Sequence, residues 1–322
     1  MTEATSHSSA RPQAAASYTP RRQHQSQFLT LRGLRHHVLN WGDASLVTPD
    51  RPPLVLLHGW MDVGASFQFV VDALAEDRRV IAMDWRGFGL SDCSGADSYW
   101  FPDYLGDLDA LLKAISPDQA VDLLGHSMGG NVVMAYAGVR PQRIRRLINL
   151  EGFGLPDAAP ELAPDRLIQW LDELQAPPQL KPYASLAEVA ARLMRTNPRL
   201  AADKAAWLAP HWAREVSTAQ GNASGSEWQI LGDPAHKLTN PTLYRRAEVV
   251  ACWERIAAPT LWVEGKNTQV LRWFGDRFPR EDFEQRIAVV KQLRRVVLDE
   301  AGHMLHHDQP EALAQALEDF LR

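Results

Sequence analysis

The Gly-x-Ser-x-Gly element at residues 125–129 constrains the fold of this chain more than any other feature of its sequence. It follows an apolar run at residues 120–124 and precedes a helix-like stretch at residues 131–139. On such a strand–turn–helix the serine adopts a strained backbone, and side chains at the flanking positions would collide with the neighbouring strand and helix. Glycine is therefore needed on both sides, and the pattern predicts that Ser127 projects alone into a cleft.

From Phe28 onward, short apolar runs alternate with amphipathic helical patterns. This alternation is typical of a mostly parallel, doubly wound α/β sheet with helices on both faces. Apolar residues recur at helical spacing over residues 67–74, 105–112 and 313–321. The predicted strands are residues 54–57, 79–83, 121–124, 147–150, 260–263 and 296–298.

The alternation stops after Leu150, and up to Tyr244 the sequence shows helical faces without a strand signal. A helical insertion of this size between two strands predicts a cap over the strand ends, where open α/β sheets bind ligands. We therefore expect a core of residues 27–154 and 246–322 and a helical cap of residues 155–245. Residues 1–26 are rich in Ser, Ala, Gln, Arg and His, a composition that predicts a disordered tail.

Charge and composition exclude several classes of function. The net charge of −5 leaves no basic stripe for a phosphate backbone, so no nucleic-acid partner is expected. No apolar run is long enough for a membrane span or a signal peptide. Cys93 and Cys252 lie far apart and indicate free thiols in a reducing, cytoplasmic location. Without CxxC or paired Cys/His spacing, we expect no metal site and no organic cofactor, and the oligomeric state stays open.

A base is required if Ser127 is to act as a nucleophile, because a serine hydroxyl is a poor nucleophile until its proton is removed. His303 follows the last predicted strand directly and is the candidate base. His306 and His307 are expected to start the following helix or to face solvent.

Further motifs, in order along the chain, give a family resemblance. The chain resembles α/β-hydrolase-fold enzymes of the lidded, lipase- and dehalogenase-like kind over residues 28–322, except in the cap. The segments that carry this resemblance are His-Gly-Trp at residues 58–60, residues 84–91, the Ser127 element and Gly-His at residues 302–303. The resemblance implies a nucleophile at Ser127 and a base at His303.

The resemblance also implies an oxyanion hole made by the backbone N–H groups of Met128 and Trp60. Fixed N–H dipoles at a helix start stabilise the charge that grows on a carbonyl oxygen under attack. His58 is expected to be a structural turn residue, and residues 84–91 a hydrogen-bonded turn beside the site.

The acid of the site departs from the commonest family pattern. Most relatives carry an aspartate in a Gly-x-x-Asp loop, and here Thr268 occupies that position in Gly-Lys-Asn-Thr. Some members take the carboxylate from the end of the strand that follows the elbow helix, where this chain has Glu151. Glu151 is the predicted acid, and Glu264 and Asp276 are the alternatives.

These residues predict a serine hydrolase that cleaves carboxylic esters of small to medium apolar substrates through an acyl-enzyme. The same residue types also serve hydrolysis of β-diketone-type carbon–carbon bonds and of thioesters, and the sequence does not separate these reactions. A ligand-binding, receptor-like member with little turnover is the alternative from another class, and the missing acid at Thr268 supports it.

Overall fold

The computed structural model describes residues 17–218 and 225–322. The strands are β1 (Gln25–Leu31), β2 (Leu34–Trp41), β3 (Leu54–Leu57), β4 (Val80–Met83), β5 (Val121–His126), β6 (Ile144–Leu150), β7 (Ala213–Ser217), β8 (Ser226–Ile230), β9 (Thr260–Gly265) and β10 (Leu293–Leu298). Eight of them form one sheet in the order β1-β2-β4-β3-β5-β6-β9-β10. The pairs from β4 to β10 are parallel, and β1 and β2 are antiparallel at one edge.

The predicted α/β sheet is confirmed, and it contains all six predicted strands. The sequence pattern does not predict β1 and β2. The edge strand β1 is exposed along most of its length and contains few apolar residues. Its sequence therefore carries only a weak strand signal. The strand pairs with β2 as a hairpin through a two-residue turn at Arg32 and Gly33, which both have positive φ.

Helices cover both faces of the sheet, as the doubly wound fold requires. In β3, Leu54 and Leu56 enter the core cluster that includes the helices at residues 68–73 and 310–321, whereas Val55 and Leu57 enter the cluster that includes the helices at residues 101–115 and 128–139. None of the helices described is both long and apolar enough to cross a bilayer. The helices are α1 (Gln68–Ala73), α2 (Phe101–Ile115), α3 (Met128–Val139), α4 (Ala163–Gln175), α5 (Leu186–Thr196), α6 (Ala202–Trp212), α7 (Arg246–Trp253), α8 (Val270–Phe274), α9 (Arg280–Ile287), α10 (Leu305–Asp308) and α11 (Pro310–Leu321).

The segment expected to form the cap, residues 155–245, contains α4, α5 and α6 and also the antiparallel hairpin of β7 and β8. The hairpin corrects the expectation that this segment has no strand. Only its two end residues Ala213 and Ile230 are buried, so it lacks the apolar run of a buried strand. This segment contacts the turn after β4, where the Gly89 N–H donates to the Leu231 carbonyl at 2.9 Å. The contact lies at the carboxyl end of the sheet, the side at which the cap is predicted.

Residues 17–24 depart from the disordered tail expected for residues 1–26. The Tyr18 hydroxyl donates to the Asp72 carboxylate at 2.5 Å, and the Arg22 N–H donates to the same carboxylate at 2.7 Å. The Tyr18 ring also packs edge-on against Trp207 of α6 at 5.4 Å. This segment therefore joins α1 of the core to the cap, while residues 1–16 lie outside the described residues.

Candidate active site

The turn between β5 and α3 presents Ser127 as its sequence predicts. Ser127 has φ 52° and ψ −115°, in the region of positive φ that non-glycine residues rarely adopt. A Cβ atom at Gly125 would lie 2.3 Å from the Gly129 carbonyl oxygen, and one at Gly129 would lie 2.3 Å from the Leu57 carbonyl oxygen. Only glycine fits at both flanking positions, because the backbone of α3 and β3 fills the space.

His303 lies within hydrogen-bond distance of Ser127, with 2.9 Å between its Nε2 atom and the serine Oγ. It follows β10 on a loop, and its side chain is 18 % exposed. Burial lowers the pKa of His303 to about 4. The imidazole is therefore neutral near pH 7 and able to accept the serine proton.

Glu151 completes the arrangement from the end of β6. Its Oε2 atom lies 3.2 Å from Nδ1 of His303, and its Oε1 atom accepts a hydrogen bond from the Gly265 N–H at 2.7 Å. Oε2 also accepts a hydrogen bond from the Thr268 hydroxyl. Burial raises the pKa of the Glu151 carboxyl, and the hydrogen bonds from Thr268 and Gly265 act against that shift.

The alternative acids lie elsewhere. Glu264 forms an ion pair with Arg280 at 2.9 Å and accepts a hydrogen bond from the Trp262 indole. Asp276 is exposed in a short 3-10 turn. Of the three candidate carboxylates, Glu151 is the one in contact with His303.

The two expected oxyanion donors lie next to Ser127. Met128 is the first residue of α3, so no preceding helical turn supplies a carbonyl for its N–H. A Cβ atom at Gly59 would lie 3.1 Å from the Ser127 Cβ, which places the backbone before Trp60 beside the serine. The Trp60 side chain is 51 % exposed and its indole N–H donates to the His236 carbonyl at 3.3 Å.

Comparison with known proteins gives the family of this chain. The model of the alpha/beta hydrolase fold matches residues 52–310. The chain belongs to the alpha/beta hydrolase fold family. It is 29 % identical to the 3-hydroxybutyrate-oligomer hydrolase of Cupriavidus necator over 87 % of this chain and 90 % of that one. It is 26 % identical to esterase YbfF of Escherichia coli over 84 % of this chain and 92 % of that protein.

A solved structure supports the same assignment for the fold. The thioesterase domain from the curacin biosynthetic pathway superposes with a TM-score of 0.76 at 28 % identity, over 92 % of this chain and 99 % of the domain. The resemblance drawn from the sequence motifs is confirmed at the level of the superfamily. Membership of this family assigns the chain as a hydrolase but does not identify the bond that it cleaves.

Two motifs of this alpha/beta hydrolase have structural roles, as expected. His58 is fully buried, and its Nε2 atom accepts a hydrogen bond from the Trp85 N–H at 3.0 Å. The Asp84 carboxylate accepts hydrogen bonds from the N–H groups of Gly64 and Leu90 at 2.7 and 3.0 Å. These bonds hold the turn after β4 in place beside the site.

His306 and His307 do not face solvent, which corrects the sequence-based expectation. Their exposures are 0 % and 4 %, and both lie in the short helix α10. The His306 ring packs at 5.2 Å from Phe67, and the His307 ring at 5.5 Å from Phe69. Packing of α10 against the start of α1 buries both rings, and this contact has no local sequence signal.

Two polar contacts of the site are absent from the sequence-based expectations. From the sequence Thr268 is a position that lacks the usual acid, yet its hydroxyl donates to the predicted acid. His126, inside the elbow motif, has its Nε2 atom 2.8 Å from the His303 carbonyl oxygen. The position of Thr268 in the loop after β9 could have predicted its contact with Glu151, because the carboxyl ends of adjacent parallel strands meet at one edge of the sheet.

Proposed function

We propose that the protein is a serine hydrolase that cleaves carboxylic esters through an acyl-enzyme. The observation that carries this proposal is the continuous contact from the Ser127 hydroxyl through both ring nitrogens of His303 to the Glu151 carboxylate. Nucleophile, base and orienting acid in this order form the arrangement that activates a serine.

In this mechanism Ser127 attacks the ester carbonyl carbon while Nε2 of His303 takes the hydroxyl proton. Glu151 holds Nδ1–H of His303 and stabilises the imidazolium that forms. The imidazolium then protonates the leaving alcohol, which leaves the acyl group on Ser127. A water molecule, deprotonated by His303, attacks the acyl-enzyme and releases the carboxylic acid.

The backbone N–H groups of Met128 and Trp60 are proposed as the oxyanion donors. They are fixed before the reaction, so they stabilise the developing negative charge without reorganisation. Loss of one such donor typically raises the barrier by about 3 kcal/mol.

Small to medium apolar esters are the proposed substrates. Trp273 lies edge-on to His303 with 5.2 Å between ring centroids, and its side chain is 61 % exposed. Together with the half-exposed Trp60, it lines the approach to the reacting atoms with apolar surface. The names of two relatives, an esterase and an oligomer hydrolase of 3-hydroxybutyrate, support an ester bond as the target.

Thioester hydrolysis is a second candidate. It is favoured by the similarity to a thioesterase domain over nearly the whole chain. The same nucleophile and base serve both bonds, so the two candidates differ in the leaving group alone.

Labelling with a fluorophosphonate probe tests whether Ser127 is activated. We expect rapid labelling of the wild type and none of Ser127→Ala, and a loss of turnover in that variant of about 10⁶-fold. Para-nitrophenyl esters from acetate to octanoate, assayed beside the matching acyl thioesters, then identify the bond and the chain length. Absence of labelling in a folded wild-type protein would favour the receptor-like alternative, and labelling without turnover on any ester would refute the esterase proposal.

A further inference from the structure

Three side chains from separate parts of the fold form a buried polar cluster: Asp62 after β3, His126 at the end of β5, and His306 in α10. One potential ligand atom of each lies within 4.8 Å of those of the other two. Their exposures are 3 %, 1 % and 0 %. Burial of three such groups is costly unless each of them has a partner.

The polar atoms of this cluster are not satisfied by the described residues. Nδ1 of His126, both ring nitrogens of His306 and Oδ2 of Asp62 have no hydrogen-bond partner among them. The distance from Nε2 of His306 to Oδ2 of Asp62 is 3.8 Å, which is too long for a hydrogen bond. Several orphaned groups therefore lie in one small region of the interior, where each would cost free energy.

The other polar atoms of Asp62 and His126 are held as those of metal ligands usually are. Nε2 of His126 lies 2.8 Å from the His303 carbonyl, which only accepts, so Nε2 carries the proton and Nδ1 keeps its lone pair. Oδ1 of Asp62 accepts hydrogen bonds from the Val63 N–H at 2.8 Å and from the Ser66 hydroxyl. Imidazoles bonded to backbone carbonyls, and carboxylates held by donors, are typical outer partners of bound metals.

We propose that Asp62, His126 and His306 bind one divalent transition-metal ion of the zinc class beside the proposed triad. Two imidazole nitrogens and one carboxylate oxygen suit zinc, cobalt or nickel better than magnesium or calcium, which prefer oxygen ligands. Tetrahedral zinc with bonds of about 2.0–2.2 Å to nitrogen and oxygen needs ligand atoms about 3.4 Å apart. The separations in the cluster, 3.8 Å and at most 4.8 Å, must shorten by about 0.4 to 1.4 Å to meet that value.

The charge of the cluster fits this assignment. The bound ion would compensate the negative charge of the buried Asp62 carboxylate. The ion takes no part in the proposed serine chemistry, and the site stands whether or not Ser127 is a nucleophile.

The test uses the full-length protein, treated with chelator and then incubated overnight with Co²⁺ before desalting, because the buried site is expected to load slowly. We expect the wild type to retain one equivalent of Co²⁺, with the visible absorption of a low-symmetry site. Zn²⁺ should raise the Tm of the wild type, since a ligand of the native state stabilises it. Asp62→Asn and His306→Gln should each weaken Zn²⁺ binding at least 100-fold, as expected for loss of a ligand.

His307→Gln is the matched control, because His307 is an equally buried neighbour in α10 that lies outside the cluster. It should retain Co²⁺ as the wild type does. Equal retention by Asp62→Asn, or no retention by the wild type, would overturn the proposal. If the variants fail to fold, X-ray absorption of the Zn²⁺-loaded wild type decides: two imidazoles in the first shell support the site, and a shell of oxygen alone refutes it.

Discussion

The loop after β6 and the end of β9 with its loop meet at Glu151, but they contribute different chemistry. The β6 loop supplies the Glu151 carboxylate, on a residue with φ 59° whose N–H donates to the Val263 carbonyl at 3.1 Å. The β9 loop is the usual source of the acid in the family pattern. Here the last residue of β9 and the loop supply two donors to that carboxylate, the Gly265 N–H and the Thr268 hydroxyl. Neighbouring parallel strands end at the same edge of the sheet. The acidic residue can therefore belong to either loop without a change in the position of the histidine.

Among the variants that test these two roles, Glu151→Gln is expected to lower kcat the most. The amide keeps the shape of the carboxylate but cannot stabilise the imidazolium, so kcat should fall by about 10⁴-fold. Hydrolysis of para-nitrophenyl butyrate measures it, with the Tm as the check of folding. Near-normal turnover in a folded variant would assign the acid to Glu264 or Asp276.

A carboxylate placed in the β9 loop should restore part of the kcat that Glu151→Gln loses. The double substitution Glu151→Gln with Thr268→Asp places a carboxylate at the family's usual acid position. A hydrogen bond to a charged group is worth about 1.5–3 kcal/mol, so kcat should recover by about 10- to 100-fold over the single variant. The single substitution Thr268→Asp is the control. No recovery would mean that a carboxylate at position 268 does not reach Nδ1 of His303.

Removing the donor from the β9 loop should have a smaller effect. Thr268→Val keeps the shape of the side chain but removes the hydroxyl that lowers the Glu151 pKa. The carboxylate then forms only at higher pH, so the acid limb of the kcat/KM profile should shift upward, with about a tenfold loss of kcat at pH 7. Thr268→Ser retains the hydroxyl and should keep the wild-type profile. An unchanged acid limb in Thr268→Val would show that the hydroxyl does not tune Glu151.

The smallest effect is expected from Glu264→Gln. Glu264 belongs to the β9 strand but pairs with Arg280, away from His303. Glu264 is buried, so the loss of its ion pair can lower the Tm, but no contact to His303 is lost and the expected change in kcat is within about twofold. A large fall in kcat with an unchanged Tm would contradict the assignment of the acid to the β6 loop.

The features that the sequence predicts are those that depend on local patterns. The parallel strands are short apolar runs, and the elbow requires glycine at Gly125 and Gly129 for reasons visible in five consecutive residues. The placement of Glu151 follows from family resemblance together with the rule that strand ends share an edge.

The features that the sequence does not predict depend on contacts between distant segments. The hairpin of β7 and β8 is made of mixed, half-exposed residues, so its pairing carries no apolar alternation. His306 and His307 look like solvent-facing residues near a helix start until α10 packs on the beginning of α1. Thr268 appears as a lost acid because its partner, Glu151, belongs to another loop.

The ordered segment at residues 17–24 has a practical consequence for choosing domain limits. A fragment trimmed to the family-matched residues 52–310 would lose this segment, the edge strands β1 and β2, and nearly all of α11. The unpaired side of β4 would then be open to pairing with other chains, and the apolar face under α11 would meet water. The part of a chain that a family shares is therefore smaller than the part that must be expressed to obtain a well-behaved sample.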